Sequence, residues 1–209
     1  VVATNDGSVS ISGATATYTP DSNWNGTDTF TYKANDGTDD SNTSTVTITV
    51  AAVNDLPVAN GSGLTINEDA TGSTFTMSGT DIETTDTDLI RILTAIPSNG
   101  DAYNDAGGGT PDGSALAVGD TLVSVNTIYN PATNWNGTDT IEFKVNDGTA
   151  DGPPLALNLV VTAVNDAPVA TDITVNSNED EVVTYDLSSN ASDVDGDNLT
   201  YSVVSDASN

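Results

Sequence analysis

Apolar residues alternate with threonine, serine and asparagine along most of this chain. The pattern is plainest in Thr45-Val-Thr-Ile-Thr-Val50, Leu122-Val-Ser-Val125 and Leu157-Asn-Leu-Val-Val161. Period-2 alternation in β-branched residues predicts half-buried strands. No stretch keeps a 3.6-residue period, so no helix is predicted. Gly, Asn-Asp and Asp-Gly punctuation recurs about every ten residues, the rhythm of an all-β sandwich.

The punctuation is itself periodic. Trp24-Asn-Gly-Thr-Asp-Thr29 recurs as Trp135 to Thr140, and Asn35-Asp-Gly-Thr38 as Asn146 to Thr149. Tyr18-x-Pro20 recurs as Tyr129-x-Pro131, Val53-Asn-Asp-x-Pro57 as Val164 to Pro168, and Asn67-Glu-Asp69 as Asn178 to Asp180. Every pair is 111 positions apart, as Trp24 is from Trp135. One shared offset for five motifs means tandem repeats. The proline of Val-Asn-Asp-x-Pro follows a long strand and cannot continue its ladder, which marks the repeat boundary. Residues 1–55 then read as the C-terminal part of one repeat, 56–166 as a complete repeat, and 167–209 as the N-terminal part of a third. Val1 reads as lying inside a strand, so a signal peptide is either removed or precedes this excerpt. The middle repeat is the longer one, and an insertion near Asn99–Gly119, with its Gly107-Gly-Gly109, is expected to be a surface loop.

Charge narrows the function. Across 209 residues there are 31 Asp and Glu against 3 Lys and Arg, a formal net charge of −28. That balance opposes nucleic acid and anionic lipid alike. His and Cys are both absent, which removes the common zinc and copper sites, Ser-His-Asp triads, thiol nucleophiles and disulfides. No apolar run is long enough for a membrane-spanning helix. Disorder is excluded by texture, because only 16 % of residues are charged and 36 % are hydrophobic. No acid pair sits in an apolar stretch, so glycosidase chemistry is not expected.

The remaining chemistry is oxygen donation. Asp193-Val-Asp195-Gly-Asp197 sets carboxylates on alternate positions around a glycine turn. Hard oxygens at that density suit Ca²⁺, which takes about 6–8 of them. It is not an EF-hand loop, since no Glu stands at the twelfth position and no helices flank it. Asn35-Asp-Gly37 and Asn146-Asp-Gly148 read equally as hairpin turns or as ligands. Trp24 and Trp135 are expected to plug the core beside the inward pairs Phe30/Tyr32 and Ile141/Phe143.

Together these motifs (Asn-Glu-Asp, Asp-x-Asp, Asn-Trp-Asn-Gly-Thr-Asp, Asn-Asp-Gly, Val-Asn-Asp-x-Pro) resemble the bacterial cadherin-like or Ig-like tandem repeats of very large secreted surface proteins, RTX-type adhesins among them. The resemblance covers the whole chain. It implies Greek-key β-sandwiches strung end to end with calcium between them. On that topology Asp81, Glu83 and Asp147 gather at the N-terminal end of the middle repeat with Asn54, Asp55 and Glu68, and Asp28 faces them from the preceding repeat. The second junction collects Asp139, Asn165, Asp166, Glu179, Asp193 and Asp195. Two departures predict fewer ions than at a cadherin junction. Ala52 and Ala163 stand where cadherin linkers carry an acid, and the Leu-Asp-Arg-Glu motif is missing. The expected partners are neighbouring repeats or identical chains, with any cell-surface or glycan ligand bound through other domains. Three functions fit: a calcium-stiffened spacer in an extracellular adhesin, the body of an extracellular filament whose half repeats are completed by neighbouring chains, or a sugar-binding accessory module of a secreted enzyme.

Overall fold

The computed structural model describes residues 6–122 and 124–205. The strand expected at Val1 lies outside the described residues. The first segment holds two antiparallel hairpin pairs, β1 (Gly7–Ser12) with β2 (Thr15–Pro20) and β3 (Gly26–Tyr32) with β4 (Ser44–Val50). The middle segment runs β5 (Val58–Gly61), β6 (Leu64–Asn67), β7 (Ser73–Thr80), β8 (Ile90–Ala95), β9 (Gly100–Asp105), β10 (Pro111–Asp112), β11 (Thr121–Leu122), β12 (Asn126–Pro131), β13 (Gly137–Asn146) and β14 (Leu155–Thr162). In the third segment β15 (Val169–Ala170) pairs with β16 (Ala191–Ser192) beside a single 3-10 turn, Leu187–Asn190.

The middle segment is a Greek-key sandwich. One sheet has the order β10-β9-β12-β7-β5 and the other β11-β8-β13-β14-β6. The first strand is split between them. Its first half, β5, pairs antiparallel with β7, and its second half, β6, pairs parallel with β14. The crossing passes through Gly61-Ser-Gly63. A Cβ on Gly61 would meet the Thr76 carbonyl at 2.6 Å, and one on Gly63 would meet the Asn158 carbonyl at 2.5 Å.

The alternation in the sequence becomes the core. Ile141, Phe143 and Val145 of β13 stand beside Leu157, Leu159 and Val161 of β14 in one sheet and pack in one core with Phe75 and Met77 of β7 in the other, all buried. Fully burying side chains of this size stabilises by about 1.5–3 kcal/mol each. Trp135 packs on the edge of this cluster, half-buried. Its ring lies over Gly137, where φ is +144° and an added Cβ would meet the indole at 3.0 Å. Gly26 beneath Trp24 repeats the arrangement, with φ +142°. The Trp-Asn-Gly motif is therefore a packed turn that only glycine completes.

Two expectations change. Gly100–Asp105 is a core strand rather than surface loop, with Ala102 2 % exposed. The extra residues of the middle repeat follow it, between β9 and β12, where the first segment joins β1 to β2 through Gly13-Ala14 alone. That insertion adds β10 to the outer edge of one sheet and β11 to the outer edge of the other, protecting both edges from stray pairing. Leu122 closes β11, Val123 lies outside the described residues, and the next strand starts only at Asn126. Second, Phe30 is buried but Tyr32 is 44 % exposed. Tyr32 instead lines a cavity of about 610 Å³ with Ile11, Ala16, Phe30 and Val46. In the middle repeat the matching space is filled by side chains of β7 and β8, strands that have no counterpart among the described residues of the first segment.

Candidate metal centres at the repeat junctions

Each Asn-Asp linker is stitched to the repeat that follows it, and both use the same bonds. The Asn54 side-chain amide donates to the Asp55 carbonyl at 2.8 Å, and that of Asn165 to the Asp166 carbonyl at 2.7 Å. The Asp55 backbone N–H donates to Glu83 at 3.3 Å, and that of Asp166 to Asp195 at 2.7 Å. Glu83 and Asp195 each stand two residues after an acid that caps the loop. Asp81 accepts from the Glu83 and Thr84 N–H groups, and Asp193 from those of Asp195 and Asp197.

At the first junction the Asn-Asp-Gly turn joins in. Asn54 also donates to Asp147 Oδ2 at 2.7 Å. The other Asp147 oxygen accepts from Thr149 and Ala150 N–H. The Ala150 N–H, then Asn54 and then Thr149 hold the Asp147 carboxyl below the usual range. The turn and ligand readings of this motif are thus compatible. Asn35-Asp-Gly37 forms the same turn, its Asp36 accepting from Thr38 and Asp39. A cavity of about 240 Å³ separates the first segment from the middle repeat here. It is lined by Asn23, Trp24, Asn25, Val53, Asp55 and Glu83 among others.

Glu68 is not at this junction. Because β6 runs parallel to β14, with Asn67 opposite Thr162, Glu68 emerges at the C-terminal pole. There it is 5 % exposed and accepts from the Val164 N–H of the second linker. Glu179, its sequence counterpart, is exposed in the third segment, outside any strand. Glu68 instead joins Asp69, Asp166, Asp193 and Asp195 around the second junction. Burial, then the charges of Asp195, Asp69, Glu68 and Asp193, push the Asp166 carboxyl above its ordinary range. Asp69, missed by sequence reasoning, also accepts from the Asn134 N–H and so ties the Trp135 turn to the seam. Its signal was the repeated Asn-Glu-Asp, whose last residue holds φ near +60° in both copies, at Asp69 and Asp180.

Asp28 and Asp139 do not reach the seams either. Asp139 is 5 % exposed, and its two oxygens accept from the N–H groups of Ser98, Asn99 and Thr140, the Ser98 hydroxyl and the Tyr129 hydroxyl. Asp28 is 8 % exposed and accepts from Thr29 N–H and the Tyr18 hydroxyl. Both carboxylates are structural anchors one layer inside the pole.

The donors that remain are oxygens of the kind calcium takes. Asp81 Oδ1 and Asp166 Oδ2, one at each junction, are buried atoms with no hydrogen-bond partner. A buried carboxylate oxygen without a donor is costly unless a cation or water meets it. Among the described residues, no three acidic side chains close on one point tightly enough to hold a metal by themselves. The fit to calcium is therefore one of donor type and unmet demand, with linker carbonyls, Asn side chains and water making up the remaining ligands.

Comparison with known proteins agrees with the architecture. One relative is Integrin beta-like protein A of Dictyostelium discoideum, 30 % identical over 200 residues, which cover 91 % of this chain and 10 % of that protein. This chain thus spans about a tenth of that relative's length. Bacterial Ig domains, a non-catalytic family, match at residues 1–49, 54–152 and 165–209. With the sandwich topology and the repeated turns already described, that coverage means the chain belongs to the bacterial Ig domain family.

Proposed function

We propose that this chain is a non-enzymatic repeat segment of an extracellular or cell-surface protein, stiffened by Ca²⁺ at the junctions between repeats and serving as a spacer in an adhesin. The observation that carries the reading is the pair of unpartnered buried oxygens, Asp81 Oδ1 and Asp166 Oδ2, one per seam. Without a cation, like charges oppose closure of each seam. With one, carboxylates of the linker and of the flanking loops are neutralised together, and ion binding adds to the stability of the closed form. A surface location agrees with the family and with the integrin-like relative. Among the described residues no helix is long and apolar enough to cross a membrane.

Thermal unfolding and small-angle scattering, each in millimolar Ca²⁺ and in EGTA, test this. The expected result is a lower melting temperature in EGTA and a broader distribution of maximum dimensions. Identical melting and identical scattering in both solutions would refute the calcium reading. Asp193→Ala with Asp195→Ala is expected to abolish the calcium response of the second junction while the middle sandwich unfolds unchanged.

The filament reading has one observation in its favour. The cavity beside Ile11, Phe30 and Tyr32 and the exposed Val182, Val203 and Val204 of the third segment are apolar surfaces that a complete sandwich buries. Strands from a neighbouring repeat or chain would cover them. Sedimentation across a hundredfold concentration range is expected to show self-association of this chain, and a constant monomer mass would remove the reading. The sugar-module reading loses its platform, because Trp24 and Trp135 are half-buried in turns rather than laid out on a flat face.

A further inference from the structure

The two junctions differ in a way their shared motifs conceal. The whole chain has three basic side chains, Lys33, Arg91 and Lys144. Lys33 pairs with Asp40 in the first segment. The other two brace the N-terminal pole of the middle repeat, the face turned to the first junction. Lys144 pairs with Asp151 at the base of the Asn-Asp-Gly turn. Arg91 lies on β8 two residues before buried Leu93, so the strand period aims it inward, and it is 5 % exposed. Its guanidinium donates to the Asp86 carboxylate, the Asp86 carbonyl and the Leu89 carbonyl. Asp86 in turn accepts from the Gly79 N–H at the end of β7. One buried cation therefore holds the 81–89 loop at three points, and that loop carries Asp81 and Glu83. The Asp86 side chain, bonded to both Arg91 and the Gly79 N–H, is the loop's inner anchor.

The second junction has nothing comparable. No basic residue follows Lys144 in the sequence. The loop from Asp193 to Asp197 is held by backbone N–H donors only: the Asp193 carboxylate accepts from Asp195 and Asp197 N–H, the Asp193 carbonyl from Gly196 N–H, and Asp195 from the Asp166 N–H. Glu68, Asp69, Asp193 and Asp195 surround Asp166 closely enough for their charges to act on it, with no positive side chain among them.

Resting on the calcium reading above, we propose that Arg91 is a resident cation of the first junction, positioning the Asp81–Glu83 loop whether or not calcium is bound, so that the second junction is the calcium-sensitive one. A buried guanidinium with its carboxylate and carbonyl acceptors in place keeps its geometry, whereas the uncompensated carboxylates of the second seam repel until a cation arrives. Calcium then acts on the two seams unequally: at the first it meets a loop already positioned, and at the second it must position the loop as well.

Residue-resolved amide hydrogen exchange on the whole chain, with Ca²⁺ and with EGTA, tests the proposal. The Gly79, Glu83 and Thr84 amides are expected to exchange at the same rate in both solutions. The Asp166, Asp195 and Asp197 amides are expected to exchange about tenfold faster in EGTA. In Arg91→Met the first set is expected to become calcium-dependent as well, and Arg91→Lys to restore much of the independence. Equal calcium dependence of both sets in the unmodified chain would overturn the role of Arg91 and leave the calcium reading standing. No response at either set would overturn the calcium reading and this proposal with it. An Arg91→Met loop that stays unprotected even in saturating Ca²⁺ would show a purely structural side chain and also overturn the proposal. Should Arg91→Met fail to fold, the comparison of the two amide sets in the unmodified chain decides the matter.

Discussion

Asp139→Ala is expected to destabilise the middle repeat by about 3–5 kcal/mol, measured by urea unfolding. The substitution strips acceptors from Ser98, Asn99 and Thr140 N–H groups and from the Tyr129 hydroxyl in a site that water barely reaches. The loss is expected to be the same in Ca²⁺ and in EGTA, because these oxygens are already taken. A destabilisation that vanished in EGTA would instead mark Asp139 as a calcium ligand. The pH dependence has a definite sign. Burial alone would raise the Asp139 carboxyl, but the N–H groups of Ser98, Asn99 and Thr140 outweigh it, and the net shift is downward. A lowered folded pKa means that this contribution is present above the unfolded value of about 3.9 and is lost as pH falls through the folded one. Tyr129 behaves in the opposite way. Burial, then the Asp139 charge, pushes it up to about 12. Its contribution is present below the unfolded value of about 10 and is lost as pH rises toward 12. The Asp139→Ala variant should lose the acid step and keep a smaller alkaline one, because the burial of Tyr129, the larger cause, remains.

Gly152→Ala is expected to cost about 3 kcal/mol, the upper end of the range for overpacking. A Cβ there would lie 1.9 Å from the Pro57 carbonyl oxygen. Both sides of this contact are backbone, so no rotamer change relieves it. Gly152 N–H also donates to the Val145 carbonyl, which fixes one wall, while buried Pro57 forms the other. Relief requires the linker to lift off the Asn-Asp-Gly turn, which pulls Asn54 away from Asp147. Calorimetry should show the drop in stability. The Asn54 side-chain amide should lose its hydrogen-bonded NMR shift. A fully stable variant with that shift intact would mean that the linker is not clamped there.

Much of this arrangement was legible in the residues. Period-2 alternation located β4 and β14, and the inward pair Ile141/Phe143 located β13, because each strand buries one face and leaves the other wetter. The Asn-Asp-Gly and Asn-Trp-Asn-Gly motifs were recognisable because their turns depend on local hydrogen bonds and on positive φ at Asn or Gly, both written in adjacent residues. What failed depended on contacts distant in sequence. Glu68 was assigned to the wrong pole because nothing near it announces that its strand changes sheets and runs parallel to β14. Asp139 looked like a ligand because its partners, Ser98 and Asn99, lie some forty residues upstream and are generic backbone donors. The 100–105 strand was hidden by its flanking glycines and by a single small core residue, Ala102. Arg91 did carry a signal. A lone arginine at an inward position of a strand demands a buried acceptor, and Asp86 is five residues away.

The split first strand also determines how such a chain bears load. In the middle repeat, β6 follows closely on the entering linker, and β14 leads out to the next one. They lie side by side and parallel over Leu64–Asn67 and Leu159–Thr162. Tension between the two linkers pulls these neighbours in opposite directions along their length. The ladder between them must then slide as a unit, with every rung strained together, instead of opening one rung at a time from an end. A tether built from such units resists stretching at each repeat before any sandwich is forced to unravel.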